Sequence, residues 1–457
     1  MRHDPSKFEG KIYMPMIRSA ALTALLLTSA ALPIQGLQAN DSQGQISSFS
    51  PATGEEAFNE IQHLLRTLSN PWGEGGEIIS LIDAQAMVRE DEALLMIAPS
   101  ERGTYVVVLR RDGVQWHRAD VSNDQLSTAA RHLRGELDGS QGATHRGPDP
   151  VVDMRESFDR LTAWTVYSRL LGPLEATMQG ARRVTVIASE AAQSVPFSAL
   201  VTAPPEGEDS DPVALRATSW LGDRHVFASA PSLSQWRKAR SSTQAARPHF
   251  YVGFGDPALP QSGALAYNRL PQTRTEIMQV AGLFSADRQT VRLGDQASEQ
   301  SVKSEGLERA TILHFATIGL AEGRVPTHGG PALVLAPSAS EDGWLTAGEV
   351  ASLQLTADFV IASGCSTYGE MADAFLHAGA RSGLAVDGAV SDEMAAEFVT
   401  ALVAAAIEET DGDYVRAFQI ARAKLRARPD NRYAHPAAWA QFGLFGDPPI
   451  AQPHTAR

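Results

Sequence analysis

A single cysteine, Cys365, stands in 457 residues, so no disulfide can close within the chain and no disulfide framework staples its core. Metal-ligand spacings are lacking as well. The 12 histidines form no His-Glu-x-x-His and no close cluster with the cysteine, so no metal and no cofactor is expected. Basic charge is in deficit: 39 Lys and Arg face 53 Asp and Glu, a formal net charge of −14. An acidic surface of that kind repels phosphate backbones and argues against nucleic acid as a partner. Long apolar runs are also scarce. Only Ser19–Leu32 is a candidate, and it is shorter than the ~20 residues that cross a bilayer. No internal repeat is present, which excludes a helical-repeat array.

What remains is ordinary globular composition, 43% hydrophobic and 20% charged, enough for one large or two medium domains. Arg18 precedes the apolar run, and Pro33 and the small-residue end Leu37-Gln38-Ala39 follow it. This order reads as a secretory signal over residues 1–39, with Met14 or Met16 as alternative starts. It predicts an exported protein, periplasmic or secreted, with no stable membrane span once the signal is removed. No cysteine follows the run, which excludes a lipoprotein anchor. Residues 40–79 read as a polar linker and one short helix bearing Phe58, Ile61 and Leu65.

From residue 80 the pattern becomes that of a folded domain. Ala93–Ile97 is a strand, and Thr104–Leu109 and Val114–Arg118 flank the hairpin signal Arg111-Asp112-Gly113. Helical spacing follows at Met154, Phe158, Leu161, Trp164, Tyr167, Leu171 and Leu174. Strands are predicted at Val184–Ala188 and Val226–Ser229, closing an N-terminal region of residues 80–245. A second region, 246–450, opens on the strand at Phe250–Gly255 and continues with a helix at Arg274–Phe284 and strands ending at Gly319 and at Leu333–Leu335. A helix from Ala347, the strand before Cys365 and a strand at Ser382–Val386 come next, then helices at Asp392–Glu409 and Asp413–Arg428. Gly253-Phe254-Gly255 lacks the third glycine of a dinucleotide fingerprint, and Pro257 obstructs the helix that motif needs. Strands alternating with helices imply an open α/β sheet covered on both faces, preceded by a small β-meander and helix region.

Two stretches carry the candidate chemistry. Phe359–Ala362 is an apolar strand that ends in Ser363-Gly364-Cys365-Ser366-Thr367, and Ile312–Ala316 ends in Thr317-Ile318-Gly319. Side chains at the carboxyl ends of such strands are where open α/β folds hold their ligands. Together the stretches resemble the CHAT family, the caspase- and separase-like domain, in which the first strand ends in Ala-Thr-His-Gly and the second in Ser-Ala-Cys-x-Thr. Val195-Pro196-Phe197, Ala230-Pro231-Ser232, Ala437-Ala438-Trp439 and Gly446-Asp447-Pro448 resemble further family segments in the same order, from about residue 80 to about 450.

The resemblance implies a caspase-like, mostly parallel sheet. It also implies Cys365 as the nucleophile position and the Gly319 N–H as part of an oxyanion site. The dyad histidine is replaced by Ile318. A thiol near pKa 8.5 needs an adjacent imidazole to become reactive and to protonate a leaving amine, and isoleucine does neither. His314 lies on the same strand and reads as structural. His328, in Thr327-His328-Gly329, is the candidate for a relocated base. The segment after Cys365 reaches Glu370-Met371-Ala372-Asp373-Ala374-Phe375 without the family's longer loop, and the family's later tryptophan is missing at Ala385–Gly388. Cys365, Asp387 and His435 also follow the nucleophile-acid-base order of α/β-hydrolases, but Ser363 and Thr367 stand where that elbow needs glycines.

These readings predict a non-catalytic pseudo-peptidase that binds a peptide or protein partner. The alternatives are a working cysteine endopeptidase with His328 as base, and a redox-sensitive thiol protein in which Cys365 is the responsive group.

Overall fold

Nearly every strand is apolar on both of its faces, which a sheet tolerates only when helices cover both sides. A computed structural model describes residues 65–66, 68–69, 78–100, 103–138, 157–241, 248–259, 270–304, 306–322, 330–364, 369–388 and 390–450. The secretory signal and most of the linker expected above lie outside these residues.

The main sheet has eleven strands among the described residues, in the order β3-β2-β1-β4-β5-β14-β13-β12-β8-β6-β7. Their ranges are β1 Glu92–Ser100, β2 Gly103–Arg110, β3 Gly113–Ala119, β4 Arg183–Ala188, β5 Val226–Ser229, β6 Tyr251–Pro257, β7 Gln289–Gly294 and β8 Ile312–Ala316. A separate three-stranded sheet holds β9 Gly319–Leu320, β10 Ala332–Val334 and β11 Trp344–Thr346. The main sheet is completed by β12 Phe359–Ala362, β13 Ser382–Val386 and β14 Phe442–Gly446. Neighbours β1–β4, β4–β5, β13–β12, β12–β8, β8–β6 and β6–β7 are parallel, while β1–β2, β2–β3 and β13–β14 are antiparallel. The expected α/β class, with a mostly parallel sheet and an N-terminal meander, is therefore what the chain forms.

Period-two alternation divides each central strand between two cores. In β12, Phe359 and Ile361 face a large core shared with the helices Asn123–Asp138, Arg160–Leu170, Asp392–Ala404 and Tyr414–Arg426. Val360 and Ala362 face the opposite core, with Phe375 and Val350 from the helices Glu370–His377 and Ala347–Ala351. The β2–β3 hairpin turns at Arg111–Asp112, with Arg110 opposite Gly113, as its sequence signal predicts. Met154 lies outside the described residues; within the rest of that expected helical spacing the helix is Arg160–Leu170, where the Asp159 carboxylate accepts the Thr162 N–H as an N-cap. Gly172-Pro173 converts its end into a single 3-10 turn.

β14, near the C-terminus, pairs with β13 on one side and with β5 on the other, so the sheet is continuous across residue 245. Gly446 ends it at φ 77°, and a Cβ there would lie 2.4 Å from the Arg381 carbonyl oxygen, so only glycine fits. Asp447 follows, fully buried. It pairs with Arg89 at 3.0 Å, Arg183 at 2.9 Å, Arg240 at 2.8 Å and Arg381 at 3.1 Å. Glu92 shares Arg183 and Arg240, each at 2.7 Å. The cluster joins both ends of the folded region. Among the described residues no helix is long and apolar enough to cross a membrane.

Candidate functional site

β8 and β12 are adjacent and parallel, with Ile312 beside Phe359 and Phe315 beside Ala362, so the chain leaves both strands at one edge. There Gly364 lies directly on the end of β8. A Cβ on Gly364 would sit 2.3 Å from the Thr317 carbonyl oxygen and 2.9 Å from the Gly319 nitrogen. The small residue before Cys365 is thus required by the approach of two backbones. Gly364, the residue before Cys365 in the chain, therefore packs on Gly319. Cys365 itself and His328 lie outside the described residues.

Ile318, where the resemblance implies a dyad histidine, is 1% exposed and packs in an apolar cluster with Leu259, Leu270, Leu320, Ala332 and Val334. Its carbonyl accepts the Val334 N–H at 2.9 Å, and the Thr317 hydroxyl donates to the Val334 carbonyl. The side chain is held inside a dry core, where an imidazole would lose its hydration.

His314 is buried elsewhere. Its Nδ1 is 2.9 Å from the Tyr251 hydroxyl and its Nε2 is 3.0 Å from Glu276 Oε1, a network tying β6, β8 and the helix Pro271–Ala281. Burial, reinforced by the nearby Glu276, raises the Tyr251 hydroxyl well above its ordinary range. This is the structural histidine expected. Asp387 pairs with Arg134, and His435 Nδ1 accepts the Ala437 N–H at 3.2 Å.

A cavity of about 410 Å³ opens at the carboxyl ends of β4 and β5 and reaches Gly369, four residues after Cys365 in the chain. Val186, Ala188 and Ser189 line it from the end of β4, and Phe227, Ser229 and Pro231 from the end of β5. Pro196-Phe197 and Phe442 add apolar wall, and Gly369, Glu370, Asp373 and Asp387 close another side. The Val-Pro-Phe and Ala-Pro-Ser segments, recognisable in the sequence only as recurrent family features, are therefore wall elements of one cavity. No histidine is among the described residues of that wall.

Its electrostatics are lopsided. Asp387 is neutralised by Arg134, whereas no basic side chain among the described residues pairs with Glu370 or Asp373. Burial, with the Glu370 charge adding to it, pushes the Asp373 carboxyl from the ordinary 3.8 up to about 7. Sequence reasoning missed this pair. The signal was present, since Glu370 and Asp373 are three residues apart on one helix and so share a face, but nothing local says that the face borders a cavity.

Among the described residues one cluster could hold a metal by its residue types: Glu299, Glu341 and Glu349. Lys303 Nζ occupies it, at 2.7, 2.7 and 2.8 Å from the three carboxylates, and supplies the positive charge itself.

Comparison with known proteins gives one family and several distant structures. A family model described as the CHAT domain matches residues 160–447. No curated protein matches the chain. Among solved structures, Saccharomyces cerevisiae separase, in a separase–securin complex, is similar at 10% identity and TM-score 0.45, covering 86% of this chain and 31% of that one. This chain thus spans less than a third of the separase chain's length. Gingipain R, described as an Arg-specific cysteine proteinase, is similar at 9% identity and TM-score 0.39, covering 79% of this chain and 78% of the other. A complex of the pro- and mature domains of Porphyromonas gingivalis RgpB gives 10% identity and TM-score 0.38, covering 70% and 75%.

Proposed function

The chain belongs to the CHAT domain family, and from that premise we propose that it is an exported pseudo-peptidase, which captures a peptide or protein segment beside Cys365 without cutting it. The observation that carries this reading is the cavity that reaches Gly369, four residues after Cys365 in the chain, with aromatic and proline walls, an unpaired acidic pair and no imidazole among its described residues. Apolar walls remove a peptide side chain from water, and a few polar groups fix its identity. Glu370 and Asp373 lack a cation, so the segment bound is one that presents Lys or Arg. Burial of Ile318 in an apolar cluster supports the non-cleaving half of the reading, because the position that should activate the thiol offers no proton acceptor.

A second reading is an active endopeptidase with His328 as base. Retained packing of Gly364 on Gly319 favours it, since that contact is the frame of an oxyanion site. One experiment separates the two. The mature protein and His328→Ala are alkylated with iodoacetamide from about pH 5 to about pH 9, and a Lys/Arg-containing peptide library is incubated with both. The pseudo-peptidase reading expects a thiol that titrates in its ordinary range, no effect of His328→Ala, and basic peptides bound intact. A thiolate formed well below about pH 8 and lost in His328→Ala, with cleaved peptides, would overturn it in favour of the endopeptidase.

A further inference from the structure

A guanidinium taken out of water needs an anionic partner to offset its lost hydration. Arg422, on the helix Tyr414–Arg426, is 4% exposed. Its Nη2 donates to the Gly222 carbonyl, and its Nη1 is buried without a hydrogen-bond partner among the described residues. Asp223 attracts Arg422 from a distance but forms its ion pair with Arg426. Burial lowers Arg422 to about 10, which leaves it charged at neutral pH.

Arg422 forms part of the wall of a cleft of about 460 Å³, together with Arg216, Asp223, Gln419, Arg426 and Tyr433. Arg216 donates to the carbonyl oxygens of Arg426, Arg428 and Asp430 at 2.7, 2.9 and 3.0 Å, neutral acceptors that leave its charge uncompensated. Three guanidinium groups thus meet one carboxylate, a local surplus of two positive charges on a chain whose net charge is −14. The cleft shares no wall residue with the cavity lined by Glu370 and Asp373. Its volume falls in the range of small-molecule sites, roughly 300–1,000 Å³.

We propose that this cleft binds a small molecule bearing an oxyanion, a phosphate or a carboxylate, whose charge offsets the surplus of guanidinium groups on its wall. Guanidinium groups match both anions through paired N–H donors, and the half-buried Gln419 amide adds a neutral donor to the same wall.

Thermal unfolding of the mature protein would be followed against rising inorganic phosphate and, separately, succinate, with chloride keeping ionic strength constant. A ligand that binds only the folded state raises the midpoint in a saturable way. Ala423→Glu, a helix-compatible change at an exposed residue of the cleft, puts a carboxylate at the site and should weaken binding by roughly tenfold or more. Arg422→Met should abolish it, and Ala423→Glu keeps the test valid if that variant fails to fold. Saturation by phosphate alone assigns a phosphate ligand, by succinate alone a carboxylate ligand, and by both an unselective oxyanion site. No saturable shift with either anion, or a shift undiminished in Ala423→Glu, would overturn the proposal.

Discussion

Replacing Asp373 with asparagine should make the protein more stable and a poorer binder, both by calculable amounts. In the folded state burial and Glu370 hold this carboxyl at about 7, against 3.8 for the ordinary group. That rise, at about 1.4 kcal/mol for each pH unit, amounts to roughly 4 kcal/mol of folded-state destabilisation at neutral pH, as an upper bound. The sign follows from proton counting. Below about pH 4 the group is protonated both folded and unfolded, so Asp373→Asn changes little. Between about pH 4 and about pH 7 the unfolded chain ionises while the folded one stays protonated, so wild type loses stability relative to the variant. Above about pH 7 both states are ionised and the gap is constant. Urea denaturation of both proteins at about pH 4, 6 and 8 reads this directly. In parallel, affinity for an arginine-containing peptide should fall in wild type by up to about tenfold per pH unit below about pH 7, and that dependence should vanish in the variant. Equal or lower stability of Asp373→Asn at about pH 8 would refute the reasoning, because an unpaired buried carboxylate could not then be costly.

Three further outcomes are expected. Asp447→Asn leaves Arg183 and Arg240 with only Glu92, and Arg89 and Arg381 with no ion pair among the described residues, and should cost about 3–5 kcal/mol by denaturant titration, the range for breaking a buried ion pair. The arginines hold its pKa far below the usual carboxylate value, so its stabilisation is complete above about pH 4 and is withdrawn as pH falls below that. Gly364→Ala should destabilise the protein by roughly 1–3 kcal/mol in thermal unfolding, as the added methyl would overlap the Thr317 carbonyl at 2.3 Å. Gly348→Ala, with nothing within 4 Å of its Cβ position, serves as the control and should be neutral or slightly stabilising. Lys303→Gln removes the ammonium from Glu299, Glu341 and Glu349, and millimolar Ca²⁺ should then raise the midpoint of the variant while leaving wild type unchanged.

Local pattern made much of this fold readable. The apolar runs at Ala93–Ile97, Val184–Ala188, Ile312–Ala316 and Ser382–Val386 are strands because nearly every residue in them is buried on one face or the other. Other elements escaped. The helix Asn123–Asp138 carries Leu126, Ala129, Ala130, Leu133 and Leu137 at helical spacing, a stripe that was available but whose two alanines are weak markers. β7 reads Gln289-Thr290-Val291-Arg292-Leu293-Gly294 and is half-buried throughout, because an edge strand has a partner on one side only. The strand at Phe442–Gly446 was seen as a family ending and not as a strand, since two of its five residues are glycine.

By itself the sequence determined most of the strands and helices, the hairpin at Arg111–Asp112, and the family resemblance of the Gly319 and Cys365 segments, in which Ile318 stands where the resemblance implies a histidine. Each depends on residues near one another in the chain or on a recognisable local motif. Only the tertiary structure decided what lies across the chain. It put Asp447 against Arg89, 358 residues away, and set Glu370 and Asp373 on the wall of a cavity closed by β4 and β5. It also buried Arg422 behind Gly222, 200 residues earlier, without an acid of its own. The reason is physical: conformational preference is set by neighbours in the chain, whereas desolvation and unpaired charge arise only when strand order brings distant segments together.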